Sequence, residues 1–385
     1  MAVYLIGFAL STFLIAISEK KRTQIFAVAS VLALLIPCLI AAWRADHVGT
    51  DVMVYASPLT DTAIVSDGLK DFLASFWSIG YRNKFVSEFE LGYSLMVFVI
   101  SKLTNSLPTV LFVTQALIIT PIYLALARNR KKAPVWLGML VFYLLFYNAT
   151  LNMMRQWIAH AFMLLAFQLM TEKRYGWTTI LSVISFSFHY SALLMVPIYM
   201  VYWFLNLPHR LAFQQGDLRI TIRTLWALLI SFVALVVIFN LDLILRIFST
   251  LGIDRFNNYL EGNRISLLIS QIVMRLPPLV LVLWNWKYLR KETRCAAFFL
   301  TMLLLDMVAA QLISVDVYAF RIGHYFQQFT ILIAPALFAC RKKGFERTTT
   351  VWVLIGYCLF YWYYTYIYGM RHGTYPYAFR DLLIL

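Results

Sequence analysis

An arginine interrupts a long apolar stretch in the first half of the chain. The segment LNMMRQWIAH (151–160) carries Arg155 and Gln156 between two apolar runs. A guanidinium group inside a membrane helix costs about 2.5–3.5 kcal/mol on insertion scales, and such groups usually face a watery cavity or a partner. Because a guanidinium makes paired hydrogen bonds with phosphate oxygens, Arg155 is a candidate for binding an anion. The alternative is that Arg155, close to a helix break predicted at 148–150, extends to the membrane surface.

A histidine lies at a second position where apolar sequence is interrupted. His189 stands in FSFHYSALL (186–194), between two short apolar runs and at a predicted extracytoplasmic turn. Neutral imidazole accepts a proton near physiological pH, so His189 is a candidate base. The alternative is a structural histidine that is held by hydrogen bonds.

A third cluster of polar side chains lies in the last third of the chain. The segment VYAFRIGHYFQQF (317–329) carries Arg321, His324 and Tyr325 at the outer end of a predicted helix. Their spacing of three to four residues places them on roughly one helix face. The alternative is a simple charge pair between Arg321 and Asp316.

The elements that position these side chains are predicted to be membrane helices. The chain of 385 residues is 62% hydrophobic and 13% charged, whereas soluble domains are about 45–50% apolar and about 25% charged. Uncharged runs such as IFAVASVLALLIPCLIAAW (25–43) recur along the chain, and they have roughly the length that crosses a bilayer. The sequence therefore predicts an all-α, polytopic membrane protein with about 12–14 helices. We predict helices near 2–17, 24–42, 91–104, 108–127, 134–148, 151–170, 177–188, 190–206, 224–240, 269–286, 296–314, 324–340 and 349–368.

The positive charges mark one side of the predicted membrane domain. The formal net charge is +15, and each short basic cluster follows an apolar run, which is typical of the cytoplasmic face. Nucleic-acid binding is excluded as a main function, because it needs basic residues on one solvated surface. The clusters are EKKR (19–22), RNRKK (128–132), EKR (172–174), RKETR (290–294) and RKKGFER (341–347).

Residues 1–385 are interpreted as a single integral membrane domain, with extracytoplasmic segments near 44–90 and 241–268.

The basic clusters and the predicted spans do not give a consistent orientation. If every predicted span crosses, RNRKK (128–132) falls outside, against the positive-inside rule. Two explanations stay open: a half-inserted helix within 64–80, or a short run within 91–127 that does not cross.

The cysteines give no indication of a metal site. Cys38, Cys295, Cys340 and Cys358 are scattered and lie mostly in apolar runs. No pair has the spacing of metal ligands, so small buried side chains are the expected interpretation.

Five short motifs recur in order along the chain: VGTDVMVY with Gly49, Asp51 and Tyr55, EFELGY with Glu90, Gly92 and Tyr93, MRQWIA with Arg155, Gln156 and Ala159, FHYSALL with His189, Ser191 and Ala192, and FRIGHYF with Arg321, Tyr325 and Phe326. Together they resemble the EpsG-like group of Wzy-type polysaccharide polymerases, which polymerise O-antigen, capsule or exopolysaccharide repeats. They occur in the family's order and cover roughly residues 40–335. The most specific part is RQ-x-IA, followed about thirty residues later by F-H-x-SA. His324 and the aromatic tail YWYYTYIYGMRHGTYPY do not map onto family roles.

The resemblance implies a GT-C-like glycosyltransferase in the bacterial inner membrane, with its active site facing the periplasm. Such an enzyme transfers a growing glycan from undecaprenyl diphosphate to the terminal sugar of another lipid-linked repeat unit, and the lipid diphosphate leaves. It needs no metal or other cofactor. Its partners are undecaprenyl-diphosphate-linked oligosaccharides, the bilayer and a protein that regulates chain length.

The implied chemistry assigns a role to each candidate residue. Cationic side chains stabilise the charge that builds on the departing diphosphate, and a base takes the proton of the acceptor hydroxyl. We predict Arg155 and Arg321 at the diphosphate, with Arg264 as a weaker candidate, and His189 as the base, with Asp51 as the second choice. The predicted substrate-binding residues are Arg44, Tyr55, Glu90, Gln156, Arg264, His324 and Tyr325.

Two rival functions stay open. A flippase for lipid-linked oligosaccharides also needs many helices and buried arginines. Transporters of that kind often carry internal repeats, and none is visible in the sequence. An O-antigen ligase has a similar fold and chemistry but uses a different acceptor.

Overall fold

A computed structural model describes the protein over residues 1–19, 24–79, 82–207, 211–215, 218–239, 267–314 and 319–380. The described residues are predominantly α-helical, which confirms the all-α prediction. The chain divides into two compact units, Met1–Met195 with Cys358–Leu385, and Val196–Tyr357. The interpretation of 1–385 as one membrane domain stays a prediction.

The first unit is built from ten helices within its described residues, and an eleventh leads into the second unit. In chain order they are α1 (Ala2–Ser18), α2 (Gln24–Ala42), α3 (Ser57–Val65), α4 (Leu69–Ala74), α5 (Leu91–Thr104), α6 (Leu107–Ala127), α7 (Val135–Leu145), α8 (Tyr147–Thr150), α9 (Met154–Thr171), α10 (Tyr175–Phe188) and α11 (Met195–Leu205). Short 3₁₀ and π turns extend or join them at Val52–Ala56, Val86–Glu88, Tyr190–Leu194, Tyr363–Tyr368 and Arg371–Gly373.

The described part of the second unit is also helical, and its last helix returns to the first unit. The helices are α12 (Ile222–Phe239), α13 (Ile269–Val273), α14 (Leu276–Trp284), α15 (Trp286–Glu292), α16 (Ala296–Ala309), α17 (His324–Gln327), α18 (Thr330–Ala339) and α19 (Phe345–Trp362), with 3₁₀ turns at Ala310–Ser314 and Ala319–Ile322. Strands form two antiparallel hairpins in the described residues, β1 (Phe76–Ile79) with β2 (Arg82–Phe85) and β3 (Leu211–Gln215) with β4 (Leu218–Thr221).

Helix length limits which elements can cross a membrane. Among the described residues, two helices are long and apolar enough, Leu107–Ala127 and Ala296–Ser314, and eight apolar helices are shorter, with 10–17 residues. These apolar helices support the prediction of a helical membrane protein. A count of 12–14 crossing helices is not confirmed.

Several helices of the first unit have one end in a common polar layer. The Glu19 carboxylate, directly after α1, accepts the backbone N–H of Val135 at 2.6 Å and of Trp136 at 3.3 Å, where α7 begins. Arg128, directly after α6, donates from Nε to Glu172 Oε1 at 2.8 Å, directly after α9. We call this layer the basic end of the first unit.

The opposite end of α1 and α7 is aromatic. The rings of Phe8 and Tyr143 stack with centroids 5.3 Å apart, and the hydroxyl of Tyr147 donates to the carbonyl of Pro37 at 2.6 Å. The hydroxyl of Tyr4 donates to the carbonyl of Thr374 at 2.7 Å. The C-terminal segment is therefore packed against the start of the chain, away from the basic end.

Helix α5 runs away from the basic end. It is joined to α6 by Asn105 and Ser106 alone; Asn105 has a left-handed φ of 49°, and the Ser106 side chain accepts the Thr109 N–H at 3.3 Å. So short a connection makes the two helices antiparallel neighbours. Because α6 ends at Arg128, Thr104 lies farther from the basic end than Glu90 does. The 14 residues of α5 span about 21 Å at 1.5 Å per residue, a length that favours the explanation in which a run within 91–127 does not cross.

The segment 44–90, predicted to be extracytoplasmic, contains a helical stretch that lies alongside α5. This stretch is the π turn Val52–Ala56 followed directly by α3. Tyr55 lies beside Tyr93 with ring centroids 5.6 Å apart. At the other end, Lys102 Nζ donates to the carbonyl of Ile64 at 3.0 Å. The helical stretch 52–65 therefore runs parallel to α5. The other explanation places a half-inserted helix within 64–80, where the structure has the six-residue α4 and the strand β1.

Candidate active site of the first unit

The first helical turns of α5 and α9 meet at an ion pair. Glu90 directly precedes α5. Arg155 is the second residue of α9, since the chain leaves α8 at Thr150 and re-enters a helix at Met154. The guanidinium of Arg155 pairs with the Glu90 carboxylate, and their side chains are 23% and 5% exposed. Arg155 is therefore held by a buried carboxylate partner.

Aromatic rings enclose the Arg155 guanidinium. Its central carbon lies 5.0 Å from the ring centre of Tyr55 and 4.6 Å from that of Phe89. Arginine is attracted to the faces of such rings. The Tyr55 hydroxyl in turn donates to Asp51 Oδ2 at 2.6 Å. Asp51, Tyr55, Glu90 and Arg155, all named from the sequence, thus form one contiguous cluster.

Asn152 joins this cluster to the C-terminal segment. Its Oδ1 accepts the Thr50 hydroxyl at 2.6 Å and the Asp51 N–H at 3.3 Å. Its Nδ2 lies 3.2 Å from His372 Nδ1. Since an amide nitrogen only donates, Nδ1 of His372 is the acceptor, and the proton of the neutral ring is on Nε2.

The C-terminal segment is held against residues 43–50 by main-chain hydrogen bonds. The N–H of Gly49 donates to the Gly373 carbonyl at 2.9 Å, and the N–H of Ala45 donates to the Ala378 carbonyl at 2.9 Å. The Tyr377 hydroxyl donates to the Ile40 carbonyl at 2.9 Å, and burial raises the pKa of Tyr377 to about 12. The Tyr377 hydroxyl is protonated at neutral pH and donates this hydrogen bond. Together with the main-chain hydrogen bonds, it holds the C-terminal segment beside the cluster.

Gly49 is needed because of both its conformation and its surroundings. Its φ is +86°, and a Cβ atom at this position would collide with the carbonyl oxygen of Leu151. A side chain is disfavoured in this region of backbone conformation. The glycine therefore lets the chain before Asp51 lie directly on the break between α8 and α9.

His189 lies next to the cluster but in a capping role. Its Nδ1 accepts the N–H of Ser191 at 3.2 Å and is 2.6 Å from the Ser191 hydroxyl. The following residue, Tyr190, directs its N–H toward Glu90 Oε1 at 3.4 Å. A neutral His189 whose Nδ1 accepts a backbone N–H carries its proton on Nε2.

Arg44 contacts the break between α8 and α9, next to the cluster, and is 1% exposed. Its guanidinium donates to the carbonyls of Ala41, Val48 and Leu151 at 2.7, 3.0 and 3.1 Å. These contacts favour a positioning role for Arg44 over the predicted contact with substrate. Gln156 is also buried, with 5% exposure.

The model of the EpsG family matches residues 27–379. This chain belongs to the EpsG family. No curated protein and no solved structure matches it. The family match covers the cluster around Arg155 and also the C-terminal segment with His372, and it confirms the resemblance noted from the motifs. Membership indicates a membrane protein of polysaccharide biosynthesis with a polymerase-like function.

The second unit of this EpsG-family protein holds the remaining predicted residues. His324 and Tyr325 begin α17 and are 6% and 0% exposed. Arg321 lies in the preceding 3₁₀ turn, so the three residues do not share one continuous helix. Arg264 and Asp316 lie outside the described residues. The convergence of Arg321 with Arg155 and His189 stays a prediction.

The EpsG-family chain carries a second buried ion pair that the sequence analysis missed. Arg275 Nε, before α14, lies 3.0 Å from Asp306 Oδ1 in α16, and their side chains are 11% and 3% exposed. The available signal was a lone aspartate within the apolar run TMLLLDMVAA (301–310), because isolated charges in such runs usually have partners. Asn152 and His372 were missed as well.

The described residues of this EpsG-family protein contain no group of three or more His, Cys, Asp or Glu side chains that could hold a metal ion. What the Arg155 cluster can do chemically is bind an anion, accept a proton and contact sugar rings. A guanidinium suits phosphate oxygens, a carboxylate suits a hydroxyl proton, and aromatic faces suit the apolar faces of sugars.

Proposed function

We propose that this EpsG-family protein is a polysaccharide polymerase of the bacterial inner membrane. It would transfer a growing glycan from undecaprenyl diphosphate to the terminal sugar of a lipid-linked repeat unit, at a site that faces the periplasm. The observation that carries the proposal is the buried Arg155–Glu90 pair, with Asp51 and Tyr55 in contact, at the first turns of α5 and α9.

The bond changes define what the site must supply. The acceptor hydroxyl oxygen attacks the anomeric carbon of the donor, and the bond between that carbon and the diphosphate oxygen breaks. The hydroxyl proton goes to a base, and the diphosphate leaves with its negative charge. A cation placed before the reaction stabilises that charge without reorganisation.

Arg155 is the proposed cation at the diphosphate. Its two rings and the Glu90 carboxylate fix the guanidinium in one orientation. The first turns of α5 and α9 add N–H groups and the positive ends of two helix dipoles, which also favour an anion. Arg321 and Arg264 are proposed as further cations, and Tyr325 and His324 as sugar contacts.

Asp51 is the proposed base, ahead of His189. Asp51 is a carboxylate that already accepts one hydroxyl proton donor, Tyr55. By contrast, Nδ1 of His189 accepts the N–H of Ser191, so its remaining nitrogen carries a proton and cannot take another. This reverses the order predicted from the sequence.

The experiment is chain extension by the purified protein in detergent, with lipid-linked oligosaccharide as the only substrate. Arg155→Ala is expected to lower the rate by about 10²–10³, the loss typical of removing one stabilising group from the developing charge. Arg155→Lys keeps the positive charge but lacks the planar guanidinium that makes paired hydrogen bonds, and it should recover part of the rate. Arg294→Ala, at an exposed arginine, is the matched control and should extend normally.

The outcomes separate the rival functions. Full-length polymer from Arg155→Ala would remove Arg155 from the diphosphate site. If the wild-type protein does not extend chains in detergent but moves the lipid-linked sugar across a sealed bilayer, the protein is a flippase. If it transfers glycan only to a different acceptor, it is a ligase.

A further inference from the structure

An open groove of about 850 Å³ lies at the basic end of the first unit, between the ends of α6, α9 and α10. Its walls are apolar: Leu124 from α6, Leu165 and Leu169 from α9, and Trp177 and Leu181 from α10. Leu124 is 44% exposed and Trp177 is 54% exposed. A surface of this kind is suited to acyl chains.

Cations surround the mouth of the same groove. Arg128, Arg130, Lys131 and Arg174 line it, together with one carboxylate, Glu172. Glu172 is engaged by Arg128 in an ion pair. The groove therefore has an excess of positive charge next to its leucines.

Because the groove lies at the end of α6, its cationic residues and its leucines are expected at different depths in the membrane. Helix α6 has the length and apolarity of a membrane span, and Arg128 directly follows it. Cations immediately beyond a span lie at the level of lipid headgroups, and tryptophan is typical of the same interface. The leucines one turn or more back along the helices lie at the level of acyl chains.

We propose that this groove binds an anionic phospholipid, with the phosphate among Arg130, Lys131 and Arg174 and an acyl chain along the leucines. Basic pockets between membrane helices have the charge that anionic headgroups require. A free phosphate ion would leave the apolar wall without a partner, so a lipid satisfies both linings.

The groove is separate from the cluster around Arg155. Arg155 is at the start of α9 and Leu169 near its end, about 20 Å apart along the helix at 1.5 Å per residue. The proposal therefore does not depend on the polymerase function, and its test needs no activity assay.

The test is native mass spectrometry of the delipidated full chain in detergent, titrated separately with phosphatidylglycerol, phosphatidylcholine and inorganic phosphate. We expect the wild-type protein to bind phosphatidylglycerol with at least several-fold preference over phosphatidylcholine. The double variant Lys131→Gln/Arg174→Gln should lose about tenfold in apparent affinity, because each cation near an anionic surface contributes.

The matched control removes the same charge elsewhere. Lys342→Gln/Lys343→Gln changes two adjacent exposed lysines after α18 and should leave binding within about twofold of wild type. An equal loss in both double variants, or no preference for phosphatidylglycerol, would overturn the proposal. Binding of inorganic phosphate as tightly as phosphatidylglycerol would also overturn it, since the apolar wall would then contribute nothing and the groove would be a simple anion site. Thermal unfolding of each variant without lipid checks that the fold is unchanged.

Discussion

The energetics of Arg155 and Glu90 distinguish a functional pair from a stabilising one. A buried ion pair adds little net stability, because the desolvation of two charges offsets most of their attraction. Hydrophobic residues of similar volume would serve the fold as well. Because this pair, at 23% and 5% side-chain exposure, adds little to the fold, we infer that its use is to hold the guanidinium ready for a ligand.

The roles of Asp51 and His189 can be separated by two substitutions that each keep a hydrogen-bond acceptor. Asp51→Asn keeps an acceptor for the Tyr55 hydroxyl but cannot take a proton, so we expect the extension rate to fall by about 10²–10⁴. His189→Asn keeps an acceptor for the Ser191 N–H, so we expect most activity to remain. Extension assays on both purified variants make the comparison. Loss of activity in His189→Asn alone would make His189 the base after all.

His372 is expected to act as a positioning residue. Its φ is +69°, a region in which asparagine is tolerated far better than alanine, and Asn Oδ1 would take the place of Nδ1. We expect His372→Ala to lower the extension rate about tenfold and to reduce thermal stability, because Nδ2 of Asn152 loses the His372 acceptor. His372→Asn should restore both.

The control for this change is His47→Ala, at an exposed histidine in the same part of the fold, which should behave like wild type. If His372→Asn recovers thermal stability but stays inactive, the imidazole itself takes part in the reaction and the positioning role is wrong.

At the scale of elements, a glycine allows α5 and α10 to touch. A Cβ at Gly92 would lie 2.7 Å from the carbonyl oxygen of Ser187, whereas one at Gly176 would meet nothing within 4 Å. We expect Gly92→Ala to separate the two helices, displace Glu90 from Tyr190 and lower both the melting temperature and activity. Gly176→Ala is the matched control and should be neutral or stabilising by about 0.5–1 kcal/mol. Equal melting temperatures for the two variants would contradict this contact.

The positions of most helices follow from the sequence, because an uncharged run bounded by polar residues determines them. The run predicted at 91–104 is α5, and the helix predicted from 2 to 17 is α1. The helical stretch 52–65 was missed, since Asp61 and its neighbours Thr60 and Thr62 resemble a loop when the partner α5 is unknown. Its stability comes from packing against α5, which no local pattern encodes.

The site was predictable by residue type but not by pairing. Arg155 was named because its charge is exceptional in an apolar run. Its partner Glu90 is 65 positions away, and His372 is 220 positions from Asn152. Contacts at such separations depend on the tertiary fold, so the sequence identified the cation and left its surroundings open.

At the scale of the whole molecule, the length of α5 bears on whether the basic clusters of the first unit can share one side of the membrane. Helix α5 has 14 residues, about 21 Å at 1.5 Å per residue, which is short of the roughly 30 Å hydrocarbon layer. It also leads away from the basic end. If α5 does not cross, the segment 44–90 and the loop before α6 share one side, and RNRKK (128–132) lies on the other with EKKR (19–22).

This orientation can be measured with single cysteines in a background that lacks Cys38, Cys295, Cys340 and Cys358. Ser87→Cys, Thr104→Cys and Lys131→Cys are all at exposed positions. With a membrane-impermeant maleimide on intact cells, we expect the cysteines at 87 and 104 to react alike and the one at 131 to react only after permeabilisation. Opposite reactivity of the cysteines at 87 and 104 would mean that α5 crosses the membrane, and the shortness of α5 would then no longer account for the charge distribution.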